Sequence, residues 1–170
     1  MSGEPVNLLE LEALAADALD PLTRDYYRSG AGEELTLARN RAAFAEIGLL
    51  PRVLVDVSDV DPSTEVLGAQ LPHPVAVAPT AFHRLAHEDG EAATARGAAA
   101  AGALMCLSSL SNTPMDEVAA ASGETPRWFQ LYVFRDRGVT RDLVARAEET
   151  GYGAIVLTVD APVLGRRERD

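Results

Sequence analysis

The chain has 170 residues, of which 47% are apolar, so it can bury the core of one ordinary domain. Its formal charge of −11 at pH 7 argues against binding to nucleic acid or to an anionic membrane, because both need a basic face. The first residues carry acidic groups where a signal peptide has a basic start, and the most apolar stretch, residues 97–110, is too short to cross a bilayer. We therefore expect a soluble cytoplasmic protein.

The first part of the chain predicts helices followed by short strands. Asn7 is suited to cap a first helix. Asp20 followed by Pro21 is typical of the start of a second helix, which would end at Gly30. A third helix is predicted at residues 34–47, and short strands at residues 53–57, 65–67 and 70–71.

From residue 75 onwards, apolar strands alternate with helices. The predicted strands are residues 75–78, 104–107, 128–133 and 154–159, and the predicted helices are residues 88–101, 114–121 and 139–150. Thr113 is expected to open the second of these helices. Continuous apolar strands are typical of strands buried on both faces, which predicts a parallel sheet. Cys106, the single cysteine, lies in the second strand and is expected to be a buried, reduced thiol.

This alternation fits either an open doubly wound sheet or half of an eight-stranded barrel. A glycine-rich fingerprint after the first strand would favour the open sheet, but Pro79, Thr80 and Ala81 stand there instead. A full barrel needs about 250 residues.

Polar residues accompany the carboxyl end of every predicted barrel strand. Residues two apart on a strand face the same side, so Gln130 should point with Tyr132, and Thr158 with Asp160. Burying such groups without partners is costly, and four strands that end alike favour a polar ligand over satisfied core polar groups. The residues concerned are Thr80, Ser108, Ser109, Gln130, Tyr132, Thr158 and Asp160.

Several motifs in register closely resemble the FMN-dependent 2-hydroxy acid oxidase and dehydrogenase family, which includes glycolate oxidase, lactate oxidase and mandelate dehydrogenase. The match covers essentially the whole chain. The motifs are Tyr26-Tyr27-x-Ser29-Gly30-Ala31, Arg39-Asn40-Arg41-x-x-Phe44, Pro51-Arg52-Val53-Leu54, Ala78-Pro79-Thr80-Ala81, Gln130-Leu131-Tyr132, Leu157-Thr158-Val159-Asp160-Ala161-Pro162 and Gly165-Arg166-Arg167-Glu168.

The resemblance implies an α/β fold, namely the N-terminal half of a (β/α)8 TIM barrel preceded by an N-terminal helical segment. Residues 1–170 would form a single partial domain. Residues 1–72 would hold the N-terminal helices and short strands, and residues 73–170 would hold barrel strands one to four with their helices. FMN would be the cofactor, and the reaction would oxidise an (S)-2-hydroxy acid to the 2-oxo acid, with oxygen as the electron acceptor.

The resemblance also implies a role for individual residues. Tyr26 and Arg167 would bind the substrate carboxylate, a task for which a guanidinium is suited because it makes two parallel bonds. Tyr132 would bind the substrate oxygen at the reacting carbon, and Asp160 would orient the catalytic histidine. The cofactor would be bound by Pro79, Thr80, Ala81 (through its backbone, near the reactive flavin nitrogen), Ser108, Gln130 and Thr158.

The family's catalytic histidine, second substrate arginine, flavin-side lysine and phosphate-binding loops have no counterpart in this sequence. His73, His83 and His87 match no catalytic position and are expected in turns or at the surface. We therefore expect a C-terminal half, from the same gene or a second chain, to supply the base and the phosphate site. Resemblance implies a homo-oligomer, in this family a tetramer. The alternative is a truncated, non-catalytic fragment.

Substrate choice depends on few residues. Leu110 stands where glycolate oxidases have a bulky tryptophan, which leaves room for a larger substrate, and Phe82 follows the Pro-Thr-Ala turn. The chain thus looks most similar to mandelate or 4-hydroxymandelate oxidases, with glycolate and lactate as alternatives. Another FMN barrel, such as an isomerase, is disfavoured by Tyr26 and Arg167, a pair suited to a carboxylate. No metal site is predicted.

Overall fold

The structure is a computed structural model that describes residues 4–169. These residues form two compact units, one of residues 4–55 and 163–169 and the other of residues 56–162. We call them the helical unit and the sheet unit. The predicted single partial domain, with its internal boundary at residue 72, stays a prediction.

The helical unit contains three helices that begin where the sequence predicts. Asn7 Oδ1 accepts hydrogen bonds from two backbone N–H groups in the first turn of the first helix, at 3.0 and 2.9 Å. Asp20 Oδ1 does the same for the second helix at 3.0 and 3.1 Å, with Pro21 as its first residue. Such caps satisfy backbone donors that a helix start leaves without partners. The helices are α1 (Leu8–Ala18), α2 (Pro21–Arg28) and α3 (Leu35–Glu46).

The sheet unit confirms the predicted alternation of parallel strands and helices. A short antiparallel pair precedes a four-stranded parallel sheet whose order follows the chain. The antiparallel pair is β1 (Thr64–Val66) and β2 (Ala69–Leu71), and the parallel strands are β3 (Ala76–Val77), β4 (Leu104–Leu107), β5 (Arg127–Leu131) and β6 (Ile155–Leu157). The helices are a 3-10 turn (His83–Leu85), α4 (Gly90–Ala101), α5 (Met115–Ser122) and α6 (Arg137–Glu149).

The core of the sheet unit lies where β4 and β5 meet α4, α5 and α6. Ala95 and Ala98 of α4 are buried, and their small side chains allow this helix to pack closely. Phe129 of β5 is 1% exposed and meets the ring of Tyr152 edge-on, with 6.1 Å between the ring centroids. The Tyr152 hydroxyl donates to the Met115 carbonyl at 3.0 Å, so this buried polar group has a partner.

The predicted strand at residues 53–57 is wrong. No strand is found there, and Val53, Val55 and Val57 are exposed. Leu54 has φ of 59°, in the left-handed region, which breaks any extended run. The β-branched residues that suggested a strand therefore have no strand partner within residues 4–169.

Burial of all four barrel strands on both faces is confirmed for β4 but not for the outer strands. Every residue of β4 is buried, whereas β3 and β6 include exposed residues, because they lie at the edges of this sheet.

Thr113 does not cap α5, which begins after Pro114 without a side-chain cap. The Thr113 hydroxyl instead donates to Glu91.

Two expectations about burial and membranes can be compared with the structure. Cys106 is buried, and burial raises the pKa of its thiol to about 11, as expected for an unreactive core cysteine. Within residues 4–169, no helix is both long and apolar enough to cross a membrane.

Candidate functional site at the strand ends of the sheet unit

The polar residues predicted at the strand ends follow three neighbouring strands. Parallel pairing places the carboxyl ends of β4, β5 and β6 at the same edge of the sheet. Ser108 follows the last residue of β4, Gln130 is the next-to-last residue of β5, and Thr158 follows the last residue of β6. The structure therefore brings these three predicted residues together.

Gln130 is the centre of a hydrogen-bond network that joins the three strand ends. Its Oε1 lies 3.0 Å from the Ser109 backbone nitrogen, 3.3 Å from Ser108 Oγ and 3.4 Å from Ser109 Oγ. Its Nε2 donates to Thr158 Oγ1 at 2.8 Å. The side chain is only 2% exposed, so these bonds replace water as its partners.

The orientation of the Gln130 amide follows from one of these contacts. A backbone N–H can only donate, so the atom that faces the Ser109 nitrogen must be the amide oxygen. The amide nitrogen then faces Thr158, whose hydroxyl accepts and keeps its own hydrogen for an acceptor outside the network. The edge of this sheet consequently presents donors as well as hydroxyl oxygens in fixed positions.

The turn after β3 is tied to the loop after β4. Phe82 has φ of 58° and ψ of 44°, a left-handed conformation that is uncommon for an aromatic residue, and its N–H donates to the Leu110 carbonyl at 3.1 Å. The predicted cofactor residues Pro79 and Thr80 are exposed, and Ala81 is partly buried. The turn that contains Pro79, Thr80 and Ala81 therefore lies at the surface and is held at Phe82 by the bond to Leu110.

Three predicted site residues, Tyr132, Thr158 and Asp160, lie just beyond the strands with which they were predicted. β5 ends at Leu131 and β6 at Leu157, so the alternation that paired Gln130 with Tyr132, and Thr158 with Asp160, does not extend to them. Tyr132 is partly buried, and its N–H donates to Ser109 Oγ at 3.4 Å. Asp160 is exposed, and no side-chain hydrogen bond or ion pair of its carboxylate is found within residues 4–169.

Glu91 is a buried carboxylate beside the site that the sequence analysis did not single out. It is fully buried at 0% exposure and accepts hydrogen bonds from the backbone of His83 and Asn112 and from the Thr113 hydroxyl. A signal was present in the sequence: Glu91 shares the i, i+4, i+7 stripe of α4 with Ala95 and Ala98, which are buried.

The three histidines lie in turns or near the surface, as predicted. His73 Nδ1 accepts from the Val75 N–H at 3.3 Å, so its Nε2 is the donor to the Ala101 carbonyl at 2.8 Å. His83 Nδ1 lies 2.9 Å from Thr94 Oγ1, and His87 is exposed. Among the described residues, no group of three or more His, Cys, Asp or Glu is placed to hold a metal ion.

The helical unit brings together the two residues predicted to bind a carboxylate. The guanidinium of Arg167 lies over the ring of Tyr26, with its carbon 5.3 Å from the ring centroid. Ser29 Oγ accepts from Arg167 Nη2 at 2.8 Å and from Nε at 3.3 Å, and Nη2 also donates to the Tyr26 carbonyl. These contacts fix the plane of the guanidinium.

The fold and these contacts define a partial barrel with a polar edge, and comparison with known proteins identifies its class. The family model described as FMN-dependent dehydrogenase matches residues 15–170, so the chain belongs to that family. The partial (β/α)8 barrel predicted from the sequence is thereby confirmed, together with FMN as the family's cofactor.

Individual relatives are oxidases of 2-hydroxy acids. The chain is 54% identical to an L-lactate oxidase of a Nostoc species, covering 98% of this chain and 46% of the relative. It is 52% identical to glycolate oxidase 1 of Zea mays, covering 99% and 45%. A solved mandelate oxidase variant with (S)-mandelic acid is 42% identical with a TM-score of 0.94, covering 98% and 49%. The chain thus spans about half the length of the relatives it matches.

The polar edge of the sheet unit fits FMN by its donor chemistry. The pyrimidine edge of a flavin alternates carbonyl acceptors with a ring N–H donor. The Thr158 hydroxyl hydrogen and the second amide hydrogen of Gln130 suit the carbonyls, and the hydroxyl oxygens suit the N–H. Because the Gln130 amide cannot rotate without losing its bonds, this pattern is present before a ligand binds.

Proposed function

We propose that this chain forms one half of an enzyme that oxidises an (S)-2-hydroxy acid to the 2-oxo acid with FMN. The observation that carries this is the buried Gln130 network, which joins the carboxyl ends of three parallel strands in a chain of the FMN-dependent dehydrogenase family. When bound, FMN would supply the two-electron redox chemistry that couples oxidation of the substrate at C2 to reduction of oxygen.

On the cofactor side, we propose that Ser108, Gln130 and Thr158 hydrogen-bond the flavin edge. Their hydrogen bonds to one another support this role, because they hold the three side chains in place. Pro79, Thr80 and Ala81 would line the flavin, with the Ala81 backbone near its reactive nitrogen.

On the substrate side, Arg167 and Tyr26 bind the carboxylate, and the Tyr132 hydroxyl binds the oxygen on C2. The plane of the Arg167 guanidinium, fixed by Ser29 and the Tyr26 ring, supports the first role. Asp160 orients a histidine base that the C-terminal half supplies, and its exposed carboxylate is accessible to such a partner. That histidine takes the proton released by the substrate.

We propose mandelate or 4-hydroxymandelate as the substrate. Leu110, in the loop after β4, leaves more room than a tryptophan, and solved mandelate oxidases resemble this chain. Glycolate and lactate form the second candidate pair, favoured by the relatives at 52% and 54% identity.

The assembly is also part of the proposal. A C-terminal half, in the same polypeptide or as a second chain, contributes the base and the phosphate site, and the whole forms a homo-oligomer in the cytoplasm. Residues 1–72 and 73–170 act as two parts of one partial domain. The competing proposal is a non-catalytic fragment. Purified material that is colourless and never contains the C-terminal half would favour it.

The deciding experiment follows the flavin absorbance of the assembled, FMN-loaded protein under anaerobic conditions. We expect bleaching by (S)-mandelate and (S)-4-hydroxymandelate to be faster than bleaching by (S)-lactate or glycolate. Faster bleaching by the smaller acids would replace the substrate proposal. Bleaching by none of the four would overturn the proposed activity.

A further inference from the structure

Glu91 is an ionisable group in the interior of the sheet unit that has no place in the proposed reaction. Its Oε1 accepts from the N–H of His83 at 3.1 Å and from the N–H of Asn112 at 3.0 Å. Its Oε2 accepts from Thr113 Oγ1 at 2.6 Å. Among the described residues no cationic side chain forms an ion pair with it, so a buried carboxylate is held by neutral donors alone.

These donors keep Glu91 ionised. Burial by itself raises the pKa of the carboxyl group, but the bonds from Thr113, Asn112 and His83 outweigh it and leave the pKa below its ordinary value. Hydrogen bonds to a charged acceptor are also stronger than neutral ones. A carboxylate retained at such a desolvation cost indicates that its three partners need to be held together.

The partners of Glu91 belong to two different loops. His83 follows Phe82, whose left-handed backbone is strained for a residue with a side chain, and this turn begins at Pro79. Asn112 and Thr113 belong to the loop after β4. Glu91 itself lies in the first turn of α4 and touches both loops.

A backbone hydrogen bond joins the two loops directly, from the Phe82 N–H to the Leu110 carbonyl at 3.1 Å. Glu91 adds a second connection, from the His83 N–H through the carboxylate to Asn112 and Thr113. Connections at separate points restrict the rotation of one loop relative to the other.

We propose that Glu91 is a positioning residue, which locks the turn after β3 and the loop after β4 into the arrangement that FMN binding requires, without touching FMN. The inference rests on the proposed function, because these loops carry the proposed cofactor residues Pro79, Thr80, Ala81 and Ser108.

Two substitutions of Glu91 distinguish the effect of its hydrogen bonds between the loops from the effect of its negative charge. Glu91→Ala removes both carboxylate oxygens, which together accept three hydrogen bonds, and takes the acceptor away from the backbone N–H groups of His83 and Asn112. Glu91→Gln keeps an oxygen for both N–H groups, and its amide N–H₂ can donate to the Thr113 hydroxyl, which reverses its role. The matched control is Val118→Ala, which removes packing from a core residue of α5 that is 1% exposed and touches neither loop's hydrogen bonds.

The experiment measures the FMN dissociation constant of the assembled apoprotein by flavin fluorescence, beside the urea midpoint. Glu91→Ala is expected to weaken FMN binding at least about tenfold, which corresponds to about 1.4 kcal/mol. Glu91→Gln is expected to restore binding to within about threefold, and Val118→Ala to lower the urea midpoint with unchanged FMN affinity. Unchanged affinity in folded Glu91→Ala, or equal weakening in Val118→Ala, would overturn the proposal.

Thr113→Val provides the answer if Glu91→Ala does not fold, because it deletes one donor and keeps the side-chain shape. A severalfold weaker FMN affinity supports the proposal, and wild-type affinity overturns it. The two proposals fail separately. Wild-type protein that binds FMN but is bleached by no 2-hydroxy acid contradicts the proposed activity alone, whereas normal FMN affinity in Glu91→Ala contradicts the positioning role alone.

Discussion

The two regions that carry proposed site residues are built differently. In the sheet unit, Ser108 and Gln130 are 5% and 2% exposed and belong to a network across three strand ends. In the helical unit, Tyr26 and Arg167 are only partly buried, and the guanidinium is held by Ser29 and an aromatic face. The proposed cofactor residues are thus part of the folded core, whereas the proposed carboxylate-binding residues lie nearer the surface.

This difference predicts three kinds of mutational effect. Substitutions in the Gln130 network should change FMN affinity and the free energy of unfolding together, because the same bonds serve both. Substitutions at Arg167 or Ser29 should change substrate affinity and leave FMN affinity and stability nearly unchanged. Tyr132, just beyond β5, should affect the reaction rate itself.

The largest effect is expected for Tyr132→Phe. The change removes one hydroxyl and little volume, so the fold and the bound FMN should survive. Losing a donor to the oxygen of the reacting carbon should raise the activation free energy of flavin reduction by about 2.7–4 kcal/mol. The rate should fall roughly a hundred- to a thousandfold. Stopped-flow reduction of the assembled enzyme measures this, and an unchanged rate with loss of flavin would make Tyr132 a cofactor ligand instead.

The second-largest effect is expected for Gln130→Leu. Leucine fills similar space but leaves the Ser109 N–H without its acceptor, at a cost of about 1–3 kcal/mol. We expect weaker FMN binding and a lower urea midpoint in the same variant. Gln130→Glu is the control, since it keeps an oxygen for Ser109 while replacing the donor to Thr158. Lower stability with wild-type FMN affinity would show that the Gln130 network stabilises the fold but does not bind FMN.

Arg167→Lys should have a smaller effect, confined to the substrate. Lysine keeps the charge but loses the two-pronged geometry and the flat contact with the Tyr26 ring. We expect KM for the 2-hydroxy acid to rise about tenfold, or about 1.4 kcal/mol, with unchanged FMN affinity. A loss of FMN with unchanged KM would show that Arg167 belongs to the cofactor side.

The smallest effect is expected for Ser29→Ala. It removes the oxygen that accepts from two nitrogens of Arg167, so the guanidinium keeps its charge but loses part of its orientation. We expect KM to rise because substrate binding loses about 0.5–1.5 kcal/mol of free energy, the usual contribution of one hydrogen bond. Ser29→Thr retains the hydroxyl and should behave as wild type. Equal effects of both variants would show that the loss does not come from the Ser29 hydroxyl.

The parts of the fold that the sequence predicted correctly are those governed by local rules. Asn7 and Asp20 cap their helices through their own side chains, and β4 is apolar throughout because both faces are buried. The strand predicted at residues 53–57 was wrong because β propensity does not create a strand partner, and the left-handed Leu54 breaks the extension.

For the site, the sequence could predict which residues lie at the strand ends but not their hydrogen bonds. Gln130 meets Ser109 and Thr158 only because parallel pairing aligns β4, β5 and β6. The buried stripe of α4 indicated that Glu91 is buried, but its hydrogen-bond donors lie at sequence separations of 8 to 22 residues, so no local pattern identifies them. Thr113 was assigned to a cap for the same reason.

The position of FMN in a crystal structure of the assembled protein would show whether the Gln130 network binds the flavin. We expect the pyrimidine edge of the flavin within hydrogen-bond distance of Gln130 and Thr158, with the turn at residues 79–81 alongside the ring. A flavin bound elsewhere, or one whose pyrimidine edge faces away from the Gln130 network, would overturn the proposed cofactor site.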